Sequence, residues 1–312
     1  MTLTAADWTA ALGTGRVRHE VPLAPFTTFG VGGPAEWLIE PADAGELAKA
    51  AGVAREHGVP VSVLGGGSNV LVSDSGVPGL VMRIRTGVVA AEGADTVRAD
   101  AGVSINGLVR WTIVHGMGGL EAWAGTPGTV GGAICGNAHF GGELIGGRVV
   151  SASLLEPDGA MTEVPASEMA FGYDRSRLQA GGEVLLSALF RVTPGCDPDR
   201  LRSVARRSLL HRKRTQPLHL RSAGCVFQNP VPGRDRVPEG CPWSAGALID
   251  RAGLKNLAIS GARVSPVHAN FIVNEGAATA ADIRALVQRC RQAVLAQFGV
   301  ELRDEIVYLG SF

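Results

Sequence analysis

The chain has 312 residues, and its 29 basic residues are balanced by 29 acidic ones, so the formal net charge is zero. This balance excludes the strong positive charge expected of a dedicated nucleic-acid or polybasic membrane binder, and the 46% of hydrophobic residues exclude global disorder. Glycine is in excess, with 43 residues, which is about 14% of the chain and roughly twice the average. These glycines should mark backbone conformations that other residues avoid.

The amino terminus and the cysteines indicate where the protein works. No basic start followed by an apolar run is present, and no stretch reaches about 18 apolar residues, so neither a secretory signal nor a membrane span is predicted. The five cysteines are Cys135, Cys196, Cys225, Cys241 and Cys290, and none forms a CxxC pair. This pattern favours reduced thiols over a disulfide framework or a metal site. We therefore expect a cytoplasmic protein without a metal.

The amino-terminal half has alternating strand and helix patterns. In chain order, the predicted elements are a strand at 35–40, a helix from Asp43 to about His57, strands at 59–64, 79–84 and 96–102, a helix at 104–116, and strands at 147–159 and 183–193. The first three of these form a βαβ unit. The glycine-dense segment 124–142 carries too little side chain for a good helix or strand and is predicted to be irregular.

A Pro/Gly-rich stretch at 193–199 is typical of a linker and predicts a domain boundary near residue 195. After it come a helix from Asp199 to about Arg214, a short strand at 225–228, a helix from Ser244 to Ala252, a helix from Thr279 that ends at Gly299, and a terminal strand at 305–310. The sequence thus predicts two α+β domains, residues 1–195 and 196–312.

Two glycine-rich segments could bind a ligand through the backbone. The first, LGGGSN at 64–69, follows a predicted buried strand, and its glycines can aim successive N–H groups at phosphate oxygens. A glycine-rich turn without a ligand is the alternative. The second segment, 124–143, would let backbone amides approach a large flat ligand, with Asn137 as a candidate hydrogen-bonding side chain, or would only pack a loop against a sheet.

A third segment, 211–230, gathers positive charge on an otherwise neutral chain. Its Arg212, Lys213, Arg214 and Arg221 suit a diphosphate or carboxylate ligand, although cations at the carboxyl end of a helix are also common without one. Cys225 follows in the same segment and is either a reactive thiol or a core residue. Near the end of the chain, Glu305 opens an apolar strand, where a carboxylate could serve as an acid or as a charge stabiliser.

The order of several motifs resembles one family. LGGGSNVLVSD, GTPGTVGGAICGN, FGYDRS, SAGCVFQNP, AGALIDRAGL, VHANFIVN and DEIVYLG occur in the order found in the UDP-N-acetylenolpyruvoylglucosamine reductases. The resemblance extends from about residue 20 to about residue 310. No tyrosine-bearing insertion follows FGYDRS, so the chain is similar to the shorter type, which lacks the substrate-closing tyrosine loop.

The resemblance implies the fold and the cofactor. It implies an α+β protein with an FAD-binding domain of the vanillyl-alcohol-oxidase type and a smaller α+β substrate-binding domain, whose terminal strand from about residue 303 packs back toward the flavin. It also implies a non-covalently bound FAD. The residues that would hold it are Gly65, Gly66, Gly67, Ser68, Asn69, Thr126, Pro127, Gly128, Thr129, Gly132 and Asn137.

The resemblance further implies a reaction in peptidoglycan precursor synthesis. NADPH would reduce the flavin, and hydride would then pass to the enolpyruvyl methylene carbon of UDP-N-acetylglucosamine enolpyruvate, giving UDP-N-acetylmuramate. Cys225 lies where the family has a proton-donating Ser or Cys, and Glu305 matches a terminal catalytic carboxylate. Lys213 and Asn229 match substrate contacts. The expected partners are the sugar nucleotide and NADPH, with no nucleic acid, membrane or obligate protein partner.

One departure from the family pattern affects the site. The family motif FGYRxS places an arginine against the substrate carboxylate, but this chain has Asp174 at that position. Arg175 is adjacent, and Arg177 would reach the same face if the segment is helical, so we favour Arg177. An FAD-dependent oxidase of sugars or hydroxy acids with the same fold, or a catalytically weakened sugar-nucleotide-binding homologue, are the alternatives.

Overall fold

The computed structural model describes residues 3–85 and 87–312. The chain folds into two compact units. The first unit comprises the chain up to Val21 together with Glu36–Gly66 and Pro78–His211, and the second comprises Pro22–Ala35, Gly67–Val77 and Arg212–Phe312. The predicted domains 1–195 and 196–312 have other bounds: two short early segments fold with the carboxy-terminal part, and the later boundary between the units lies between His211 and Arg212, inside the helix Pro198–Thr215.

Most strands are short. In chain order they are β1 (Val17–Pro22), β2 (Pro34–Ile39), β3 (Val61–Leu64), β4 (Val70–Val72), β5 (Val77–Arg83), β6 (Val89–Ala91), β7 (Thr96–Asp100), β8 (His139–Phe140), β9 (Glu143–Leu144), β10 (Val149–Leu155), β11 (Met161–Pro165), β12 (Val184–Arg191), β13 (Ala258–Ile259), β14 (Ala262–Val264), β15 (Ile272–Asn274) and β16 (Val307–Leu309).

The helices vary more in length. They are α1 (Ala5–Leu12), α2 (Ala44–Glu56), α3 (Ile105–Val114), α4 (Val130–Cys135), α5 (Pro198–Thr215), α6 (Ala245–Arg251) and α7 (Ala280–Phe298). None of these helices, within the part of the chain that the structure describes, is long and apolar enough to cross a membrane.

The four-stranded sheet of the first unit has the order β1-β2-β5-β3, with β3 and β5 parallel. Helix α2 begins where predicted, because the Asp43 carboxylate accepts a hydrogen bond of 2.8 Å from the Glu46 N–H group. Leu47, Ala50 and Ala54 form its buried stripe. The predicted strand–helix–strand order is confirmed, and β5 lies between the two strands that α2 joins.

The second sheet of the first unit is antiparallel, with the order β11-β10-β12-β7-β6. Helix α4 packs on it, and it lies inside the segment 124–142 that we predicted to be irregular, so that prediction is wrong. Thr129 caps the helix, and Val130, Ala133 and Ile134 bury one face of it. Tertiary burial of that face outweighs the low helix propensity of the glycines.

The second unit contains a small antiparallel sheet, β13-β14-β15, which packs against α7. The predicted capping of α7 is confirmed, since Thr279 and Asp282 form a capping box. The Asp74 carboxylate adds two hydrogen bonds of 2.9 Å from the Ala280 and Ala281 N–H groups. The terminal strand β16 pairs in parallel with β4, the strand that follows the glycine loop.

An ion pair in the second unit should make folding sensitive to acid. Arg303 holds Asp235 through contacts of 2.8 and 3.1 Å, and these hydrogen bonds lower the pKa of Asp235 to about 2. Because the folded pKa is below the unfolded one, this contribution to stability is present above about pH 4 and is lost as the pH falls toward about 2.

We therefore expect Asp235→Asn to lower the free energy of unfolding at neutral pH and to reduce its loss between about pH 4 and pH 2. Urea unfolding at several pH values measures both effects. Asp199→Asn, which removes an exposed carboxylate with a surface partner, is the control. Equal acid sensitivity of wild type and Asp235→Asn would contradict the assignment.

Candidate active site

The first unit contains a cavity of about 600 Å³, a volume typical of small-molecule and cofactor sites. Two glycine-rich turns, one after β3 and one before α4, contribute Gly65, Gly66, Gly128 and Thr129 to its wall. The structure thus brings together residues that are far apart in the sequence and that the sequence analysis assigned to one cofactor.

Close contact between these turns explains two of the glycines. A Cβ atom at Gly65 would lie 2.4 Å from Thr129 Oγ1, and one at Gly66 would lie 2.7 Å from Gly128 Cα. Both distances are far below van der Waals contact, so any larger residue would push the turns apart. The backbone at the cavity edge is held by a hydrogen bond of 3.1 Å from the Ile105 N–H group to the Gly128 carbonyl.

An asparagine that the sequence analysis missed positions the turn before α4. Asn106 Nδ2 donates to the Thr126 carbonyl at 3.2 Å, and its Oδ1 accepts from the Gly125 N–H group at 2.7 Å. Thr126 is buried, whereas Pro127 is exposed. Gly132 is also exposed, and its N–H group donates to Thr129 Oγ1 at 3.3 Å. No local pattern marks Asn106, since its partners are about 20 residues away.

Asn137, predicted to hydrogen-bond the ligand, uses its side chain for the protein itself. It is 1% exposed; its Nδ2 donates to the Gly172 carbonyl at 2.7 Å, and its Oδ1 accepts from the Gly146 N–H group at 2.8 Å. Its backbone has a positive φ of 43°, which asparagine tolerates better than most residues. Both ends of the amide therefore fix neighbouring loops.

The remaining residues of the glycine loop, Gly67, Ser68 and Asn69, belong to the second unit. Asn69 holds the end of the chain in place: its Nδ2 donates to the Glu305 carbonyl at 3.0 Å, and its own carbonyl accepts from the Val307 N–H group at 2.9 Å. Ser68 is half-buried. A residue predicted to bind cofactor is thus also a positioning residue for Glu305.

Cys225 and Glu305 lie on two segments that run antiparallel. The Glu305 N–H group donates to the Val226 carbonyl at 2.8 Å, and the Gln228 N–H group donates to the Arg303 carbonyl at 2.9 Å. Only a single bridge, Phe227 with Asp304, has regular strand geometry, so the predicted strand at 225–228 is wrong. The pairing nevertheless places Glu305 beside the residue that follows Cys225.

A buried asparagine takes the place of a neighbouring strand on the other side. Asn270, 3% exposed, accepts a hydrogen bond from the Phe227 N–H group at 3.0 Å and donates one to the Phe227 carbonyl at 2.7 Å through its side chain. Its backbone carbonyl accepts from the Val226 N–H group at 2.8 Å. The segment after Cys225 is therefore bound on both edges, which fixes it without a sheet.

The basic segment divides into a buried and an exposed part. Arg212 is buried, and burial lowers its pKa to about 10. The negative charge of a Cys225 thiolate has the smaller, opposite effect of raising the pKa of Arg212. Lys213, the next residue, is exposed at the carboxyl end of α5. Asn229 is also exposed, and its Oδ1 accepts a hydrogen bond of 3.0 Å from the first N–H group of α6, that of Ala245.

The segment around the unexpected Asp174 is a tight turn and not a helix. The N–H and carbonyl groups of Gly172 and Arg175 are hydrogen-bonded to each other at 3.0 and 3.3 Å. Asp174, at a positive φ of 51°, contacts His139 Nδ1 at 3.2 Å through Oδ1. Arg175 is exposed. The helical premise behind the choice of Arg177 is therefore wrong.

Arg177 is engaged by carboxylates of the first unit. Its guanidinium binds Glu183, at 3.0 Å through Nε and by a second contact, and it lies 3.9 Å from Glu156 and 4.0 Å from Glu168. The Glu183 carboxylate raises the pKa of Arg177. A substrate carboxylate would have to compete with these groups, so the geometry favours a structural role for Arg177.

Comparisons with known proteins agree with the motif order. Residues 216–309 match the model of the UDP-N-acetylenolpyruvoylglucosamine reductase C-terminal domain, and residues 35–165 match an FAD binding domain. A UDP-N-acetylenolpyruvoylglucosamine reductase of Synechococcus sp. is 40% identical over 97% of this chain and 96% of its own length. The chain belongs to the UDP-N-acetylenolpyruvoylglucosamine reductase family. UDP-N-acetylenolpyruvoylglucosamine reductase 2 of Symbiobacterium thermophilum is similarly related, with 40% identity over 95% of this chain and 93% of its own.

Solved structures confirm the predicted fold class. The crystal structure of UDP-N-acetylenolpyruvylglucosamine reductase from Thermus caldophilus superposes with a TM-score of 0.76 and 34% identity, covering 95% of this chain and 99% of that one. A berberine bridge enzyme variant, described as a reticuline dehydrogenase, shares only 18% identity at a TM-score of 0.50, over 61% of this chain and 43% of that one. That likeness shows the fold alone. The family membership and the FAD-domain match confirm the predicted cofactor, FAD.

We expect Asn270→Ala to destabilise the second unit by about 2–5 kcal/mol, because it leaves the buried N–H and carbonyl groups of Phe227 without partners. Urea unfolding measures the loss. Gln297→Ala on the exposed side of α7 is the matched control and should change stability by less than about 0.5 kcal/mol. A loss no larger than that of the control would show that water replaces the asparagine side chain.

Proposed function

We propose that this protein is an NADPH-dependent flavoenzyme that reduces UDP-N-acetylglucosamine enolpyruvate to UDP-N-acetylmuramate in peptidoglycan precursor synthesis. The observation that supports the proposal is the backbone pairing of Glu305 with the segment that follows Cys225. It occurs in a chain that is similar, over nearly its full length, to proteins named as this reductase. The cytoplasmic location inferred from the cysteines remains a prediction.

The cavity of the first unit is the proposed FAD site. Its size fits part of a dinucleotide, and the turns of Gly65, Gly66 and Gly128 offer close backbone approach to a diphosphate. The cofactor supplies hydride transfer from NADPH to the enolpyruvyl double bond. The protein side of the reaction is to orient the substrate, to provide a proton, and to stabilise the negative charge that develops on the substrate.

We assign the proton donation to Cys225 Sγ. A thiol is suited to this task because its unperturbed pKa, about 8.5, is much closer to neutrality than that of a serine hydroxyl. When the proton passes to the substrate carbon that bears the carboxylate, a thiolate is left behind. The buried cation of Arg212, which interacts with this thiolate, would stabilise it.

Glu305 has the second role at the reacting end. In its protonated form it can donate a hydrogen bond to the substrate carboxylate as negative charge builds on it. Asn69 and the Val226 carbonyl hold its backbone from two sides, so the side chain starts from a fixed position. Such preorganisation is what a charge-stabilising group requires.

Lys213 and Asn229 are the proposed contacts for the sugar nucleotide. The exposed ammonium group of Lys213 suits the diphosphate. The Asn229 carbonyl oxygen caps α6, while its amide nitrogen makes no hydrogen bond within residues 3–85 and 87–312 and can donate to the substrate. For the substrate carboxylate we propose Arg175 in place of Arg177, because Arg175 is exposed and makes no ion pair among the described residues.

One observation supports a second candidate function, that of a sugar-nucleotide-binding homologue with weakened catalysis. Asp174 occupies the position where the family pattern has arginine, and its carboxylate pairs with His139. This candidate predicts tight binding of the sugar nucleotide without turnover. The oxidase alternative has no such support, since oxidation of a sugar gives Cys225 and Glu305 no evident role.

The half-reactions test the function and the role of Cys225 together. We expect NADPH to reduce the bound FAD and the enolpyruvyl sugar nucleotide to reoxidise it, both followed by flavin absorbance. Cys225→Ala should leave the first step intact and slow the second by roughly a hundredfold or more, whereas Cys225→Ser should retain substantial activity. Glu305→Ala, which removes the proposed hydrogen bond to the substrate carboxylate, should show the same selective loss as Cys225→Ala.

Cys241→Ala, which removes another thiol of the second unit, is the matched control and should leave both steps unchanged. Reoxidation by Cys225→Ala at the wild-type rate would refute the proton-donor assignment. Reduction by NADPH without reoxidation by the enolpyruvyl substrate would favour the weakened homologue. Fast reoxidation by oxygen alone would favour an oxidase.

The two arginines can be separated by kinetics and stability. We expect Arg175→Gln to raise KM for the enolpyruvyl substrate about tenfold or more without affecting reduction by NADPH, because it removes an ion pair of about 1.5–3 kcal/mol with the carboxylate. Arg177→Gln should instead lower the free energy of unfolding by about 1–3 kcal/mol, since it leaves the buried Glu183 carboxylate unpaired. The reverse pattern would restore Arg177 as the substrate ligand.

A further inference from the structure

Helix α5 concentrates positive charge on an otherwise neutral chain. Its 18 residues include six arginines and one lysine, but a single acidic residue, Asp199. One of these arginines, Arg212, is buried, and Lys213 in the last turn is already proposed to bind the sugar nucleotide. The part of the helix that belongs to the first unit, residues 198–211, still carries four exposed arginines, which are Arg200, Arg202, Arg206 and Arg207.

Carboxylates of the protein compensate little of this charge. Arg202 Nη1 binds Asp199 Oδ1 at 2.6 Å, and both side chains are exposed. Arg207 Nη1 donates to the neutral hydroxyl of a serine one turn earlier, at 3.2 Å. Arg200 and Arg206 form no ion pair with a carboxylate within residues 3–85 and 87–312. Three of the four guanidinium groups are therefore available to an anion outside the protein.

Two leucines lie on the same exposed surface of α5. Leu209 and Leu210 are 48% and 51% exposed, whereas the buried side of the helix is formed by other residues, such as Leu201. Arg206 comes three residues before Leu209, and Arg207 comes three residues before Leu210. Residues at this spacing are neighbours on a helix surface, so each leucine lies beside an arginine. The exposed face thus combines cations with apolar side chains.

This combination fits one kind of partner. Anionic lipid headgroups attract a helix that carries four or more arginines, and apolar side chains beside the cations can enter the boundary between headgroups and acyl chains. A nucleic acid or an acidic polypeptide would neutralise the arginines but would leave the leucines in water. Residues 198–211 also contain no Phe, Trp or Tyr on which a nucleic-acid base could stack.

We propose that the exposed face of α5 between Arg200 and Leu210 is a contact site for an anionic lipid bilayer, on which the protein lies reversibly. The inference goes beyond the proposed reaction and does not rest on it. The neutral net charge, from which the sequence analysis predicts no membrane partner, does not oppose it. Charges farther than about 8 Å from a surface are largely screened at physiological ionic strength, so the local charge of the helix determines the attraction.

Sedimentation of the full-length protein with lipid vesicles tests this. We expect binding to vesicles of phosphatidylcholine with one-third phosphatidylglycerol, and little binding to phosphatidylcholine alone. Arg206→Gln combined with Arg207→Gln should weaken binding by about tenfold to thirtyfold, because each cation near an anionic surface contributes roughly fivefold. Arg206→Lys combined with Arg207→Lys keeps the charge and should stay within about threefold of wild type.

Leu210→Ser separates contact with lipid from attraction between charges. It leaves the charge unchanged and should weaken binding to the anionic vesicles by about threefold to tenfold, because the apolar contact of one leucine side chain is lost. An unchanged affinity of this variant would overturn the lipid assignment, since the arginines alone would then explain the binding.

The matched control removes two exposed arginines elsewhere. Arg236→Gln combined with Arg289→Gln, in the second unit, should stay within about twofold of wild type. Thermal unfolding of each variant shows whether a substitution disturbs the fold. Equal losses in the two glutamine double variants, or equal binding of wild type to neutral and anionic vesicles, would overturn the proposal.

Two further probes identify a different partner. Binding of the wild type to a DNA duplex or to polyglutamate, without binding to either kind of vesicle, would replace the lipid bilayer by another polyanion and overturn the proposal. Because none of these measurements involves turnover, failure of the proposed reduction of the enolpyruvyl substrate would leave them unaffected.

Discussion

The reacting end of this molecule depends on one backbone contact, the hydrogen bond from the Glu305 N–H group to the Val226 carbonyl. It joins residues about 80 positions apart and places the backbone of Glu305 beside the residue that follows Cys225. The side chains of Asn270 and Asn69 add hydrogen bonds around it, and the strand pair β16–β4 begins two residues after Glu305. Two single side chains therefore hold the Cys225 segment and the Glu305 backbone in place, where regular strands are short or absent.

The fold was predictable wherever local chemistry is strong. Helices α2 and α7 begin at Asp43 and Thr279 as their caps require, and their buried stripes follow the helical period. Predictions failed where distant contacts decide. Helix α4 forms because its apolar face is buried against a sheet, and the segment after Cys225 is not a strand because a side chain replaces its neighbour. The unit boundaries differ from the prediction because early segments fold with late ones.

The residues of the candidate site also fall into two groups, those that the sequence indicates and those that only the fold reveals. The glycine turns, Cys225 and Glu305 could be named from the sequence, because their residue types restrict the chemistry and their order resembles a family. The asparagines that position them could not, since an amide that bonds a backbone group 20 to 240 residues away leaves no local pattern. Arg177 shows what the sequence leaves out: its carboxylate partners, Glu183 foremost, are revealed only by the fold.

The composition of the second unit has a consequence for how the chain is made. Its core includes Phe29, Val31 and Leu71 together with Val226, Ile306 and other residues from beyond position 220. During synthesis the early apolar residues leave the ribosome long before their partners exist. Their apolar side chains cannot be fully buried in this core until nearly the whole chain has been synthesised. Cutting the gene at the Pro/Gly-rich stretch 193–199 would therefore yield two fragments, neither of which contains a complete core for the second unit.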